Sequence, residues 1–230
     1  GDLPMEYREC VKAILSLFQK ESYWSRFPII IEELIFINQT IGGGYPNVEY
    51  KILKTGKIEL LYYGGMRMSK EGVYKGMEIH NDAISDQITA RVVDTGFYIA
   101  EQFASSGYRG YFDVDFVAGK NGKLYVTESN VRSTGGTFVH TLAQRYYGKD
   151  YMYAAYILSN NSYDVAHLKN PSFKSVKTLL TPILFDRETK EGLVIISENM
   201  FLLDKLAYII FGKTKKKALE IEQRMEELLK

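Results

Sequence analysis

Between residues 110 and 132 the chain alternates apolar and polar side chains in two runs. Gly110-Tyr-Phe-Asp-Val-Asp-Phe-Val-Ala118 has the two-residue period of a strand with unlike faces. Lys123-Leu-Tyr-Val-Thr-Glu-Ser-Asn130 repeats it after Asn121-Gly122, a dipeptide that marks a tight hairpin. A two-residue turn sets Lys120 opposite Lys123. Counting outward, Asp115 falls opposite Glu128, and Asp113 opposite Asn130. That register gathers Asp113, Asp115, Glu128, Asn130 and Arg132 on one face. Phe112, Val114, Phe116, Tyr125 and Thr127 occupy the other.

Elsewhere the period changes. Val11, Ile14, Leu15 and Phe18 have helical spacing within Met5–Lys20, and Phe27–Ile31 reads as a buried strand. Val48–Leu53 and Ile58–Tyr63 form a strand pair about the turn Lys54-Thr-Gly-Lys57. Ile84, Ile88, Val92, Ile99 and Phe103 make an apolar stripe in a helix over Asn81–Ser106, with caps at Asn81, Asp82 or Ser85 and a stop at Gly107. A second helix is predicted over Thr137–Leu158, ended by Asn160-Asn161-Ser162. Asn170-Pro171-Ser172 is the best boundary, giving units 1–170 and 171–230. The tail reads strand, turn, strand, strand, helix. Its strands include Leu179–Phe185 and Leu193–Ser197, and its helix Lys213–Lys230 carries Ala218, Ile221, Met225 and Leu228 on one face. The fold class is α+β: an antiparallel sheet with packed helices, then a small β-β-β-α domain.

Carboxylates directly opposed across strands repel. A chain that stacks them in this way is suited to hold a cation, and an all-oxygen ligand set favours Mg²⁺ ahead of Mn²⁺ or Ca²⁺. An ordinary solvated acidic face is the competing reading. The 230 residues are 46% hydrophobic, enough for a sizeable core. A net charge of +1 gives no electrostatic case for nucleic acid or an anionic membrane. Cys10 stands alone, which excludes an internal disulfide framework and a cysteine zinc site. His80, His140 and His167 lack metal-ligand spacing. No apolar run reaches membrane-span length, and a cytoplasmic location is the default expectation.

Asp115, then Glu128-Ser-Asn130, then Arg132 and Ser133-Thr134-Gly135-Gly136, resembles the metal-binding end of the ATP-grasp ligases, in the branch ending Glu-x-Asn-x-Arg-x-x-Gly-Gly. Pro28-Ile-Ile-Ile-Glu-Glu-Leu-Ile35 is similar to the hinge strand of that family. The tail from Lys177 through Gly192-Leu-Val-Ile-Ile196 resembles the small appended domain of peptide ligases similar to pheganomycin synthetase. The resemblance implies a C-terminal ATP-grasp subdomain. It also implies an ATP- and Mg²⁺-dependent ligase, with Mn²⁺ as a substitute, that joins a carboxylate to an amine through an acyl phosphate. Glu128 would touch two metals, Asp115 one and Asn130 the other. Arg132 would stabilise the transferring group.

By the same resemblance, Glu32 or Glu33 meets the adenine amino group while the backbone over Glu33, Leu34 and Ile35 reads the ring edge. Gln39 or Asn38 takes a ribose position where relatives often place an acid. Arg67 is either a phosphate or substrate ligand or a surface arginine. Asp113 has three open roles: holding Arg132, binding the amine, or facing solvent. No lysine-bearing strand or Gly-rich phosphate loop precedes Pro28. The expectation is therefore a C-terminal portion of a longer ligase, inactive alone, with N-terminal domains of the same chain as partners. A noncatalytic nucleotide- or metal-binding module is the alternative. A metal-dependent phosphodiesterase fits less well, because the chain offers neither a histidine base nor a basic groove.

Overall fold

The computed structural model describes residues 6–21, 23, 26, 28, 32–168 and 171–230. Two compact units divide the chain after residue 36. The first holds α1 (Tyr7–Lys20), whose N-cap Glu6 accepts a hydrogen bond from the Glu9 N–H at 2.9 Å. Apart from Pro28, the strand expected over Phe27–Ile31 lies outside the described residues.

The second unit is built on one fully antiparallel sheet of eight strands. These are β1 (Pro46–Ile52), β2 (Ile58–Met68), β3 (Tyr74–Ile79), β4 (Gly110–Ala118), β5 (Leu124–Asn130), β6 (Tyr156–Asp164), β7 (Gly192–Ile195) and β8 (Lys205–Gly212). Their order across the sheet is β5-β4-β1-β2-β3-β6-β8-β7. Five helices pack on it: α2 (Asp86–Ser105), α3 (Gly135–Tyr147), the single turn α4 (Tyr151–Ala154), α5 (Phe173–Leu180) and α6 (Lys215–Leu228). The expected α+β class, an antiparallel sheet with packed helices, is what forms. The strands on either side of the boundary expected at residues 170–171 belong to this one sheet, with β6 hydrogen-bonded to β8 over Tyr156↔Gly212 to Asp164↔Lys205. That boundary therefore falls inside a single unit.

Alternation in β1 and β4 separates two environments. Val48, Tyr50, Phe112, Val114 and Phe116 are fully buried, with Val92 and Ala100 of α2 in the same cluster. The intervening residues Asn47, Glu49, Asp113 and Asp115 share the opposite face, in the register Asn47↔Asp115 and Glu49↔Asp113. The α2 helix begins at Asp86 rather than Asn81, with Ser85 as N-cap, and ends as expected at Gly107. There the Tyr108 N–H reaches the Phe103 carbonyl and the Gly107 N–H the Ala104 carbonyl, a Schellman closure.

Two expected elements are corrected. The helix predicted over Thr137–Leu158 stops at Tyr147, before Gly148 with its positive φ of 83°. Tyr156–Leu158 are strand residues, and the Asn160–Ser162 stop lies within β6. A short apolar run buried on both faces does not reveal its period. The strand expected over Leu179–Phe185 is helix and 3₁₀ turn. Ser172 caps α5 by accepting from the Ser175 N–H, Val176 and Leu180 bury at helical spacing, and Pro182 has no N–H to give a ladder. Among the described residues no helix is long and apolar enough to cross a membrane.

Candidate functional site

A cavity of about 530 Å³ opens over the polar face of β1, β4 and β5. Asn47, Asp113, Asp115, Glu128, Asn130 and Arg132 line one side, and Met66, Met68, Met77, Tyr62 and Tyr74 another. Thr134, Gly135 and Gly136, at the N-terminus of α3, line it as well. The pairs inferred from the hairpin are present: Asp115↔Glu128 and Asp113↔Asn130. The path to them differs. The hairpin turn has three residues, and a bulge at Thr127 restores the register between Asp115 and Phe116. Thr127 consequently lines the cavity, and Tyr125 pairs with the cavity residue Val117. Both were expected on the far face.

The acids are held in a polar web. Asp115 Oδ1 accepts from Asn47 Nδ2 at 2.6 Å, and Asp115 Oδ2 from Asn130 Nδ2 at 3.2 Å. Asp113 Oδ1 accepts from the Asn130 N–H at 3.3 Å. Arg132 donates to Asn130 Oδ1 at 3.0 Å rather than to Asp113. Burial, with the charges of Asp113 and Glu128, pushes the Asp115 carboxyl up to about 6. Burial also raises Asp113, against hydrogen bonds from Asn130 and Asn47. Among the described residues no three His, Cys, Asp or Glu side chains gather closely enough to cage a metal by themselves. The amide oxygens therefore matter to the fit of a cation. Asn47 Oδ1 is a buried acceptor with no hydrogen-bond partner.

Asn47 and Glu49 are the members that the sequence reading missed. Glu49 is fully buried and accepts from the Tyr62 hydroxyl at 2.8 Å, from the Thr134 hydroxyl at 3.0 Å and from the Thr137 hydroxyl. The Thr137 hydroxyl accepts in turn from the Thr134 N–H at 2.8 Å. One carboxylate on β1 thus fixes the first turn of α3, where a helix end favours negative charge. Burial still holds the Glu49 carboxyl up to about 7. Its signal was the alternation Asn47-Val-Glu-Tyr-Lys-Ile52.

Arg67 and Gln39 do not line this cavity. Arg67 is committed elsewhere: Nη1 and Nη2 each lie 2.8 Å from a Glu222 carboxylate oxygen, and Nη1 also donates to the Ser159 carbonyl at 3.0 Å. A guanidinium paired in this fork is a structural tie. Gln39 is exposed in a turn where Asn38 Oδ1 accepts from Thr40. Glu32, Glu33, Leu34 and Ile35 belong to the first unit and have irregular backbone, the first three exposed.

No family model matches the sequence, and no curated protein matches it. Solved structures do match in fold. N5-carboxyaminoimidazole synthetase from Staphylococcus aureus, complexed with ADP, aligns over 99% of this chain and 59% of its own, with a TM-score of 0.60 and 12% identity. The biotin carboxylase domain of Hydrogenobacter thermophilus 2-oxoglutarate carboxylase, in complex with MgADP, ADP and bicarbonate, aligns over 96% and 52%, with a TM-score of 0.59 and 12% identity. The phosphoribosylaminoimidazole carboxylase ATPase subunit from Aquifex aeolicus gives 87%, 58%, 0.53 and 13%. These are likenesses of fold alone. The chain spans between half and three fifths of the length of each of these structures.

Proposed function

We propose that this chain carries the metal- and nucleotide-binding C-terminal portion of an ATP-dependent carboxylate–amine ligase. The observation that carries the reading is the floor of the cavity, where Asp115 opposes Glu128 and Asp113 opposes Asn130 beside Arg132 and the Gly135-Gly136 start of α3. That constellation sits on a fold shared with proteins solved with ADP bound.

In the proposed reaction the substrate carboxylate attacks the γ-phosphorus of ATP, and ADP leaves. The amine then attacks the acyl carbon, and phosphate leaves. Such chemistry needs positioning and charge neutralisation above all. Asp115, Glu128 and Asn130 would hold Mg²⁺, or Mn²⁺ in its place. A divalent ion bound there offsets charge on phosphate oxygens. Arg132 and the first N–H groups of α3 would hold an anionic carboxylate or acyl phosphate. Glu49 keeps those N–H groups in place through Thr134 and Thr137. Contacts of Glu32, Glu33, Leu34, Ile35 and Gln39 with adenosine belong to the same proposal. So does a peptide-forming reaction of the pheganomycin-synthetase kind, which rests on the resemblance of the tail from Lys177 through Ile196.

The test is calorimetric titration with Mg²⁺–ADP of the natural chain and of an Asp115→Ala/Glu128→Ala double variant. Binding that is abolished in the double variant is the expected result. Equal affinity in the two proteins would remove these acids from the site.

A further inference from the structure

The side of the cavity built by β2 and β3 carries no charge. Met66 lies directly opposite Met77, and Met68 opposite Tyr74, and all four line the cavity together with Tyr45. Methionine offers a flexible, polarisable apolar surface that fills irregular gaps and packs against aromatic rings.

The ladder behind this wall contains a bulge. Met66↔Met77 and Arg67↔Gly76 are in regular register, and regular continuation would set Lys75 opposite Met68. The extra residue on β3 puts Tyr74 there instead. Lys75 does not line the cavity, and its Nζ donates to Ser162 Oγ at 3.3 Å. Arg67, between the two methionines of β2, is turned away as well, into the Glu222 carboxylate. The two cations of β2 and β3 are thus both kept off the wall, which can offer a phosphate neither charge nor amide.

The acids lie close by. Only β1 stands between β2 and β4 in the sheet, so the wall begins about 10 Å from the acid strand, within reach of one ligand of amino-acid size. Three carboxylates, Asp113, Asp115 and Glu128, line the cavity with a single guanidinium, Arg132. A cleft with such a surplus of one sign attracts the opposite charge.

We propose that the amine substrate carries an apolar side chain, which packs on Met66, Met68, Met77 and Tyr74 while its amino group turns to the acidic side. The substrate class is an unphosphorylated amine or amino acid with a leucine- or phenylalanine-like side chain. This rests on the ligase reading and names its second substrate.

The experiment uses the natural chain without metal or nucleotide, its methionine methyl groups labelled with carbon-13 for NMR. Four probes are titrated: leucinamide, glycinamide, which lacks the side chain, isovaleramide, which lacks the amine, and phosphoethanolamine, which adds a phosphate. Met66→Gln and Met68→Gln assign the signals, and thermal unfolding shows that each variant is folded. Leucinamide is expected to shift the Met66 and Met68 methyl signals. It is expected to bind at least about tenfold more tightly than glycinamide or phosphoethanolamine, as burial of an aliphatic side chain implies, and more tightly than isovaleramide. The Met66→Gln/Met68→Gln double variant, followed at Met77, is expected to lose the preference for leucinamide over glycinamide. Equal affinity for leucinamide and glycinamide, tighter binding of isovaleramide or phosphoethanolamine, or a preference that survives in the double variant overturns the proposal. So does the absence of any shift with leucinamide at tens of millimolar. Discrimination among amines beside a failed Mg²⁺–ADP titration would sink the ligase reading and leave the side-chain pocket standing. Mg²⁺–ADP binding without discrimination would do the reverse.

Discussion

Asp115 stands opposite Glu128 because two irregularities in the hairpin cancel. The three-residue loop Lys120–Gly122, with the Gly119 N–H on the Lys123 carbonyl and Gly122 at φ 77°, sets Ala118 opposite Leu124. That register is one residue away from the one that faces the acids. The extra residue Thr127 takes up the difference. Deleting Thr127 should make the ladder regular, with Val126 opposite Phe116 and Glu128 still opposite Asp115. We expect the deletion variant to fold and to keep Mg²⁺–ADP affinity in calorimetry. Loss of affinity in a folded variant would show that the bulge itself shapes the site.

Gly136 admits no side chain. A Cβ there would lie 1.8 Å from the Tyr62 hydroxyl oxygen, the same hydroxyl that donates to Glu49. Gly136→Ala is expected to cost about 1–3 kcal/mol, as overpacking does. Tyr62→Phe removes the oxygen, so the double variant should show a favourable coupling of about 1 kcal/mol or more in a urea-denaturation cycle. Additive costs would mean that the helix start moves aside instead.

Arg67 and Glu222 form a nearly buried fork, with the Tyr208 hydroxyl also donating to Glu222 at 2.6 Å. Removing one partner leaves the other charge stranded. Arg67→Met or Glu222→Leu alone should each cost about 3–5 kcal/mol by chemical denaturation, and the two together far less than their sum. Neither residue lines the cavity, so a folded double variant should keep its Mg²⁺–ADP affinity.

Glu49 makes stability depend on pH with a definite sign. Its folded value of about 7 lies above the ordinary 4.5. Between those values the folded state holds a proton that the unfolded state releases, so this group's contribution falls as pH rises from about 4.5 to 7 and is flat outside that window. Glu49→Gln removes the effect. Relative to the natural chain, it should gain stability at pH 8 compared with pH 4.5, by up to about 3 kcal/mol. Denaturation midpoints at the two pH values test this, and an unchanged difference would mean that Glu49 titrates normally.

What could be read from the sequence was local. The hairpin acids were legible because they alternate with Phe112, Val114 and Phe116, and Asn121-Gly122 marks the turn. Asn47 was not singled out, since the side chain that gives it meaning, Asp115, is 68 residues away. Glu49 was hidden likewise, with its donors Tyr62, Thr134 and Thr137 lying 13, 85 and 88 residues away. The face of Thr127 was misassigned because a bulge leaves no mark in a period-two pattern. Tyr156–Leu158 was read as helix because its burial comes from β8 and β3 on either side, neither of which is adjacent in sequence.

The Arg67–Glu222 tie also sets an order in time. The two residues are 155 positions apart, and at about 5–20 residues per second the second leaves the ribosome roughly 8–30 s after the first. Throughout that interval β2, which carries the cavity residues Met66 and Met68, must wait with a guanidinium that has no counter-charge. The helix that carries Glu222 is thus the piece that locks a wall of the pocket, and a nascent chain stalled before it would present an unfinished site to chaperones.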